Sequence, residues 1–380
     1  MRASLVARVA ARSSQRRLTT ATTARAPLAP PYHHQMRSPL APPYAHAVPA
    51  QETDRIRASY SFTIPTVQKE VKPSPAEWIE TVVATPAGQE WAIKTWDAAL
   101  DALEAQSAIP EIQFRKLASA DVNAIKASGS VVIRDVLQDA VAEGWATEYA
   151  AQGVHPTFYH SSLIAARSDP SVLSATGAVL EKVLGATPAY IRVDTVSHHP
   201  SEAQWTGDKV WAEQPAEGTY MPLHAHLAFN TTDLAAPTSA HAALYTLLRP
   251  YFTPKASRIS FYHGEDYLAK ENWTFSGKAD AFAEPVHLKP AHVKLNPGDI
   301  LVSHAGLGLR AANANGLLLP IHPLPAGEGN KAFVTLQRTA FEAGLPPPHA
   351  ILDGEACPVE EPGSQGEIDS VAGRRAMGYE

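Results

Sequence analysis

Two histidines separated by a single residue are the clearest candidates for chemistry in this sequence. His224 and His226 lie in Leu223–Phe229, a run whose composition and flanking turn residues predict a β-strand. Because alternate strand residues point to the same side of a sheet, both imidazoles are expected on one face. With a third side chain, for which His241, His263 and His304 are candidates, they could bind a metal ion or transfer protons. The plainer interpretation, which we prefer, is that both line a pocket for substrate or water.

Two arginines are candidates for binding an anion. Arg192 lies in a predicted strand at 190–195, and Arg338 directly follows a predicted strand at 332–337. A guanidinium group forms two parallel hydrogen bonds with a carboxylate, so either arginine could bind an acidic molecule. Each could equally form a structural salt bridge.

Composition limits the class of protein. The chain has 380 residues, of which 45% are apolar, and this is typical of a globular protein with a sizeable core. A net charge of −6 gives no basic surface for nucleic acid, and no apolar run is long enough to predict a membrane span. The single cysteine, Cys357, cannot form an internal disulfide, which favours a reducing compartment. The expected partner is a small molecule, and the sequence does not indicate an oligomeric state.

Residues 1–51 have the composition of a targeting segment. They contain seven arginines, and no acidic residue precedes Glu52. An arginine-rich, acid-poor N-terminus is typical of a mitochondrial transit peptide. The alternatives are a disordered tail or translation from Met36, and the protein would then be cytoplasmic. A proline-rich segment at 25–32, nearly repeated at 37–44, indicates an extended linker.

Helices are predicted first and strands later in the chain. Ser74 followed by Pro75 predicts a helix start, and helical patterns continue at 90–106, 161–167 and 170–184. A β-branched run at 129–134 predicts an early buried strand. Further strands are predicted at 190–195, 222–230, 259–263, 292–295, 300–303 and 332–337. This order predicts a helical layer on an antiparallel barrel or sandwich.

The chain divides into three parts by composition. After the leader at 1–51, one domain is predicted over 52–355, followed by a flexible tail at 356–380 that is rich in Gly, Pro and Glu. Four other histidines of the domain, His287, His292, His322 and His349, are predicted at the surface or in turns.

Five segments, taken in order, carry a resemblance to a known family. They are Ile109-Pro-Glu-Ile-Gln-Phe114, Ala127-Ser-Gly-Ser-Val-Val-Ile-Arg134, Leu247-Leu-Arg-Pro-Tyr-Phe252, Pro297-Gly-Asp-Ile300 and Gln337-Arg-Thr-Ala-Phe-Glu-Ala-Gly-Leu-Pro-Pro-Pro348. Over residues 74–350 the chain resembles the YbiU-like family, a family of unknown function in the Fe(II)/2-oxoglutarate dioxygenase-like superfamily. The resemblance implies an α+β fold, namely a double-stranded β-helix (a jelly roll or cupin-like barrel) with an N-terminal helical layer.

That resemblance implies a non-haem Fe(II) site with 2-oxoglutarate as co-substrate. Such sites take a His-x-Asp pair from one strand and a distant histidine from another, and an arginine binds the keto acid. His198 and His199 stand where the pair is expected, but the residues two positions on are Pro200 and Ser201. The first motif therefore lacks its acid.

The second iron motif is also altered. Relative to Pro297-Gly-Asp299, the family's metal-binding histidine falls at Leu309, whereas His304 matches a histidine that is not a ligand in the family. The candidate metal ligands are therefore His198, His199, His224 and His226, and the candidates for 2-oxoglutarate or substrate are Arg192 and Arg338.

Three functions follow from the sequence. The first is an oxidoreductase of the Fe(II)/2-oxoglutarate type with an atypical metal site, acting on a small organic molecule, for example in specialised metabolism. The second is an iron-free barrel that needs no cofactor and catalyses a dehydration or an isomerisation, with histidines as acid and base. The third is a non-catalytic binding protein of the same fold.

Overall fold

Short polar residues followed by proline mark two of the helix starts. The side chain of Thr85 accepts a hydrogen bond from the Gly88 N–H, and that of Asp169 accepts from the N–H groups of Ser171 and Val172. Each cap satisfies donors that have no partner within the helix. The computed structural model describes residues 75–105, 108–151, 157–196, 221–236, 238–242, 248–255, 267–280, 291–305, 307, 310–311, 316–352 and 360–379.

Ten α-helices lie in this described part of the chain. The early ones are α1 (Pro75–Val83), α2 (Pro86–Glu104), α3 (Val122–Ser128), α4 (Asp139–Ala151), α5 (Ser161–Ser168) and α6 (Pro170–Leu184). The later ones are α7 (Ser239–Ala242), α8 (Glu328–Glu342), α9 (Pro348–Leu352) and α10 (Val371–Ala376). None of them combines the length and the apolar composition that crossing a membrane requires.

Eleven short strands accompany these helices in the described ranges. They are β1 (Glu111–Gln113), β2 (Ser130–Arg134), β3 (Pro188–Val193), β4 (Leu223–Ala228), β5 (Thr232–Ala236), β6 (Phe252–Pro254), β7 (Trp273–Phe275), β8 (Ala291–Leu295), β9 (Ile300–His304), β10 (Arg310–Ala311) and β11 (Leu318–Pro325). Five of them, β2, β3, β4, β8 and β9, coincide with predicted strands to within two residues, because each is a short apolar run between turn residues. The other six were not predicted.

The strands form three sheets. The largest has six strands in the order β1-β2-β9-β4-β11-β3, and all of its pairs except β1–β2 are antiparallel. A three-stranded sheet has the order β10-β5-β8, and β6 pairs with β7. The fold is therefore a mixed α/β arrangement with mostly antiparallel sheets, and the described strands do not close into a barrel. The predicted jelly-roll barrel is not confirmed at that level of detail.

The two faces of the six-stranded sheet contact different layers. One face, here called the helix face, carries residues such as Ala225, Val302 and Ile321, which pack with α5 and α6 in the largest apolar cluster. The opposite face, here called the sheet face, carries Val132 and Leu301, which pack against residues of β5 and β8. This separation follows from strand alternation, which sends successive side chains to opposite faces.

Two sequence predictions fail near the C-terminus. Residues 332–337 are not a strand but part of α8, whose buried residues include Val334, Gln337 and Phe341 at helical spacing. The tail predicted to be flexible is packed over 360–379, since Ile368 and Met377 are buried in the helix-face cluster. The leader at 1–51 and the predicted strand at 259–263 lie outside the described residues.

Candidate functional site

A row of polar residues crosses five strands on the sheet face. Pairing places Arg192 of β3 opposite His322 of β11, His224 of β4 opposite Ser303 of β9, and Ser303 opposite Ser130 of β2. The rings of His322 and His224, whose centroids are 4.7 Å apart, connect the Arg192–His322 pair to the other three residues. Directly paired residues on one face are contact neighbours, so these five form a continuous line, here called the polar row.

His226 extends the polar row into a cluster of three histidines. It lies two residues after His224 on β4 and therefore on the same face. Its ring centroid is 5.7 Å from that of His322 and 6.4 Å from that of His224. His224, His226 and His322 together are called the histidine cluster below.

His322 is held in one tautomer by its neighbours. The Ala225 N–H donates to its Nδ1 at 3.3 Å, so the proton of the neutral ring is on Nε2. That Nε2 faces the carboxylate of Asp194, with 4.0 Å between Nε2 and Oδ2. Both ring nitrogens therefore have a defined environment, and the ring is oriented rather than free to turn.

Asp194 carries negative charge at the open end of the polar row. Its Oδ2 lies 3.3 Å from the Arg192 guanidinium and 3.8 Å from His349 Nε2. Burial alone would raise the pKa of Asp194, but His349, Arg192 and His322 together hold that pKa well below its usual range. Asp194 is therefore ionised at neutral pH and offsets part of the charge of Arg192.

The histidine cluster is neutral at physiological pH. Burial, assisted by the charge of Arg192, lowers the pKa of His224 to about 4. Burial and the neighbouring His224 lower the pKa of His226 to about 3, and burial also lowers the pKa of His322 well below its ordinary value. Neutral imidazoles can accept protons and can accept or donate hydrogen bonds.

Several buried polar atoms at this site lack a hydrogen-bond partner among the described residues. They are the hydroxyls of Ser130 and Ser303, Nδ1 of His226, Nε of Arg192 and both ring nitrogens of His349. Ser130 and Ser303 are each only 1% exposed. Buried polar groups in folded proteins are normally satisfied, so a concentration of unsatisfied ones points to a bound ligand or to ordered water.

A buried arginine behind the site holds the backbone of Asp194. Arg167 is fully buried and donates hydrogen bonds to the carbonyl oxygens of Phe158 and Asp194, and burial lowers its pKa to about 10. Glu360, from the packed C-terminal segment, accepts hydrogen bonds from the N–H groups of Phe158 and Tyr159. The C-terminal segment therefore stabilises the backbone at Phe158, whose carbonyl oxygen accepts a hydrogen bond from Arg167.

The structure brings together only some of the residues that the sequence singled out. His224, His226 and Arg192 lie in the same site. His304 is buried, and its pairing with Leu223 places it in the register of the helix face, although its charge still helps to lower the pKa of His224. Arg338 is elsewhere, because its guanidinium donates to the Gly378 carbonyl at 2.7 Å and lies over a tyrosine ring. Arg338 therefore has a structural partner at the C-terminus and does not reach the polar row.

Two site histidines were missed by sequence reasoning. His322 and His349 were predicted at the surface or in turns, but His322 is 5% exposed and His349 is only slightly more accessible. His322 was hidden because Pro320 and Pro323 flank it, and proline argues against an interior strand. The apolar run of leucines before Pro320 was the one available signal for a buried strand.

The described residues do not fit the iron site that the family resemblance implies. Among them, no three His, Cys, Asp or Glu side chains are placed to hold a metal ion together. Nδ1 of His322 already accepts a hydrogen bond from the Ala225 N–H, so this nitrogen is not available to bind a metal ion. The predicted ligands His198 and His199 and the position of Leu309 lie outside the described residues, and a leucine cannot bind iron.

Comparison with known proteins places this fold beside three crystal structures of low sequence identity. No protein-family model and no curated protein matches the sequence. GlcNAc Inducible Gene 2 (DUF1479) from Candida albicans has a TM-score of 0.57 at 13% identity, covering 80% of this chain and 88% of its own. A hypothetical protein from Escherichia coli has a TM-score of 0.52 at 16% identity, covering 89% and 99%.

The third structure is named as a candidate oxidoreductase. It comes from Salmonella typhimurium LT2 and has a TM-score of 0.51 at 15% identity, covering 86% of this chain and 96% of its own. The α-ketoglutarate-dependent carbocyclase SnoK of nogalamycin biosynthesis has a TM-score of only 0.31, which carries no argument about a cofactor. At these identities the first three structures establish a shared fold.

Proposed function

We propose that this protein is a jelly-roll enzyme of the YbiU-like (DUF1479) group that transfers protons within a small acidic molecule, without Fe(II) and without oxidative use of 2-oxoglutarate. The observation that carries the proposal is the histidine cluster, in which three neutral imidazoles lie within 6.4 Å of one another beside Arg192. A cation and neutral proton acceptors in one buried place suit an anionic substrate and acid–base chemistry.

The strand order supports the jelly-roll part of the proposal. From β4 onward the chain passes to β5 in the small sheet, through the separate β6–β7 pair to β8 in the small sheet, back to β9, then to β10 in the small sheet, and finally to β11. Two facing antiparallel sheets that exchange strands in this way are the arrangement of a jelly roll. The polar row begins at Arg192, whose side chain is 26% exposed, so a ligand could enter the site from that end.

The chemistry that these residues support is a dehydration or an isomerisation. Arg192 would bind the substrate carboxylate and hold against the histidines a carbon whose C–H is acidified by a neighbouring carbonyl or carboxylate group, as C3 is in a 2-oxo acid. His224 or His226 would accept the proton from that carbon, and in a dehydration the same proton would leave with the neighbouring hydroxyl as water. A carbon–carbon double bond would form, and the step would require no oxidant or reductant.

The iron-dependent oxidoreductase is the second candidate. It is favoured by the fold shared with the Salmonella protein that is named as a candidate oxidoreductase. Against it stand Pro200, Ser201 and Leu309, which occupy positions where the resemblance expects the acid and the second histidine. In this case Fe(II) would supply oxygen activation, with His198 and His199 as the candidate ligands.

One substrate tests both candidates. Protein purified anaerobically would be assayed for bound iron and, with 2-oxoglutarate, for succinate formation. The same protein, treated with a chelator, would be incubated with 2-oxoglutarate in D₂O while proton NMR follows exchange at C3. We expect iron well below one equivalent, no succinate, and C3 exchange faster than the uncatalysed background. Stoichiometric iron with succinate formation would overturn the proposal in favour of the second candidate.

Paired variants separate catalysis from binding. His224→Ala together with His226→Ala is expected to abolish enzyme-dependent C3 exchange. His241→Ala is the matched control, because that buried histidine bonds to Thr238 and lies outside the cluster. Exchange at the background rate in the wild type, with 2-oxoglutarate bound, would instead support a non-catalytic binding protein.

The leader remains a separate proposal. We propose that residues 1–51 direct the protein to mitochondria, on the basis of their arginine-rich, acid-free composition. A fusion of residues 1–51 to a fluorescent protein should co-localise with mitochondria. Diffuse cytoplasmic fluorescence would contradict the proposal.

A further inference from the structure

We propose that the polar row binds an elongated hydroxy-carboxylate, with the carboxylate at Arg192 and the hydroxyl groups along Ser303 and Ser130. This inference rests on the proposed function only in naming the ligand class of the same site. It is carried by the order of the groups along the row, from a cation at one end to unsatisfied hydroxyls at the other.

The Arg192 end suits a carboxylate. The side chain is 26% exposed, and its described contact with Asp194 uses one terminal nitrogen at 3.3 Å. Because a guanidinium has five N–H donors, this contact leaves donors for a ligand, and Nε has no partner among the described residues. His349 Nε2 lies 3.8 Å from the same carboxylate oxygen, so Asp194 is not a partner of Arg192 alone.

The serine end suits neutral hydroxyl groups. Ser130 and Ser303 are almost fully buried, and their neighbours on the same face are the apolar side chains of Val132 and Leu301. A charged group would lose its hydration there without a described counter-charge, which is costly. A ligand hydroxyl can both donate to and accept from each serine, so it would satisfy the orphaned atoms without introducing charge.

The length of the row sets the length of the ligand. Neighbouring strands lie about 4.8 Å apart, so the four gaps from Arg192 to Ser130 span roughly 19 Å between backbones. If the arginine and serine side chains turn along the row to meet the ligand, roughly 10 Å is left, which an extended chain of about six carbons with terminal oxygens covers. A two- or three-carbon acid would reach only one end of the row.

Three six-carbon probes test the two ends separately by isothermal titration calorimetry. Gluconate has a carboxylate and hydroxyls, hexanoate has only the carboxylate, and glucitol has only the hydroxyls. We expect gluconate to bind at least about tenfold more tightly than either of the others, since it alone can use both ends of the row.

Variants at each end of the row should remove the gain in gluconate affinity that this end provides. Arg192→Gln should weaken gluconate to the level of glucitol, and Ser130→Ala with Ser303→Ala should weaken it to the level of hexanoate. Arg338→Gln is the matched arginine control and should leave gluconate binding unchanged. Thermal unfolding without ligand confirms that each variant is folded, and Arg192→Lys, which keeps the charge, should retain part of the affinity if Arg192→Gln does not fold.

The possible failures are distinguishable. Equal affinity for gluconate and hexanoate would overturn the assignment of the serine end, and gluconate binding that survives Arg192→Gln would overturn that of the arginine end. Absence of gluconate binding to the folded wild type would overturn the inference as a whole. None of these results depends on proton transfer, whereas iron-dependent succinate formation would sink the proposed function without altering the calorimetry.

Discussion

The two faces of the six-stranded sheet are made by the same strands, yet they use their side chains in opposite ways. On β4 the helix face receives Leu223, Ala225 and Leu227, all essentially fully buried among apolar neighbours. The sheet face of the same strand receives His224 and His226, whose pKa values are lowered by burial. One face is satisfied by packing, and the other holds polar groups that lack partners among the described residues.

This difference separates stability from function within one strand. Apolar burial contributes about 1.5–3 kcal/mol for each large side chain, so the helix face stabilises the fold. Burying histidines and serines without partners costs free energy, so the polar row destabilises the folded state of the ligand-free protein. Residues that persist at such a cost are candidates for binding or catalysis.

The largest expected effect is on the helix face, from removal of the C-terminal segment. A chain ending at residue 359 would lose Ile368 and Met377 from the apolar cluster and Glu360 from its two backbone donors. We expect a loss of roughly 5 kcal/mol or more, comparable with the whole stability of many domains. Urea denaturation would show no cooperative transition.

Two point variants in the full chain test the same contact even if the truncated chain does not fold. Ile368→Ala in the full chain should lower the free energy of unfolding by about 2–5 kcal/mol, whereas Val371→Ala, at a position that is 57% exposed, should change it by less than about 0.5 kcal/mol. Equal stability of the wild type and the truncated chain would mean that this segment does not cover the helix face.

Adjacent residues of β4 provide the second test. Leu227→Ala should destabilise the protein by about 2–5 kcal/mol, because it leaves a cavity in the helix-face cluster. His226→Leu keeps a similar volume and removes a buried nitrogen without a described partner, so stability should change by less than about 1 kcal/mol or should increase. Urea midpoints of the two variants measure the contrast. A loss for His226→Leu as large as that for Leu227→Ala would show that the imidazole has a structural role.

Four of the helices, α1, α2, α5 and α6, and five of the strands could be predicted from local sequence, for physical reasons. Pro170 after Asp169 fixes the start of α6, and Gly185, with a φ of 65°, fixes its end, so both ends follow from residues within the helix or beside it. The prediction of a strand at 332–337 was wrong because these few residues fit a strand, while the helical spacing appears only over the whole of α8.

The site could be predicted only in part. The His-x-His spacing was enough to place His224 and His226 together, since strand alternation is a local rule. The polar row, by contrast, depends on the pairing register of strands that are distant in sequence, such as β2 with β9. No local pattern reveals that Ser130 lies opposite Ser303, and the prolines around His322 concealed the strand that connects the two ends.

The third test uses pH. His226 has a pKa of about 3 in the folded protein, compared with about 6.5 in an unfolded chain. The unfolded state therefore binds its proton first as the pH falls, and the folded state loses stability from about pH 6.5 downward. The slope should approach roughly 1.4 kcal/mol per pH unit for this histidine, to which His224 and His322 add, whereas the group contributes no slope above about pH 7.5.

Two variants test whether His226, on the sheet face, causes this dependence of stability on pH. His226→Leu should reduce the dependence of stability on pH between about pH 6.5 and 4.5. Leu227→Ala should lower stability by a similar amount at every pH and leave the slope unchanged. If the slope of His226→Leu equals that of the wild type, the histidine is not buried as a neutral ring.

The smallest expected effect on stability is at the deep end of the polar row. Ser303→Ala removes a hydroxyl that is 1% exposed and has no hydrogen-bond partner among the described residues. Stability should therefore change by less than about 0.5 kcal/mol, or should rise, because no satisfied bond is lost. Gluconate affinity should nevertheless fall, since the ligand is what satisfies this hydroxyl. Urea denaturation and calorimetry on the same sample separate these effects, and a large loss of stability with unchanged affinity would assign Ser303 to the scaffold rather than to the ligand.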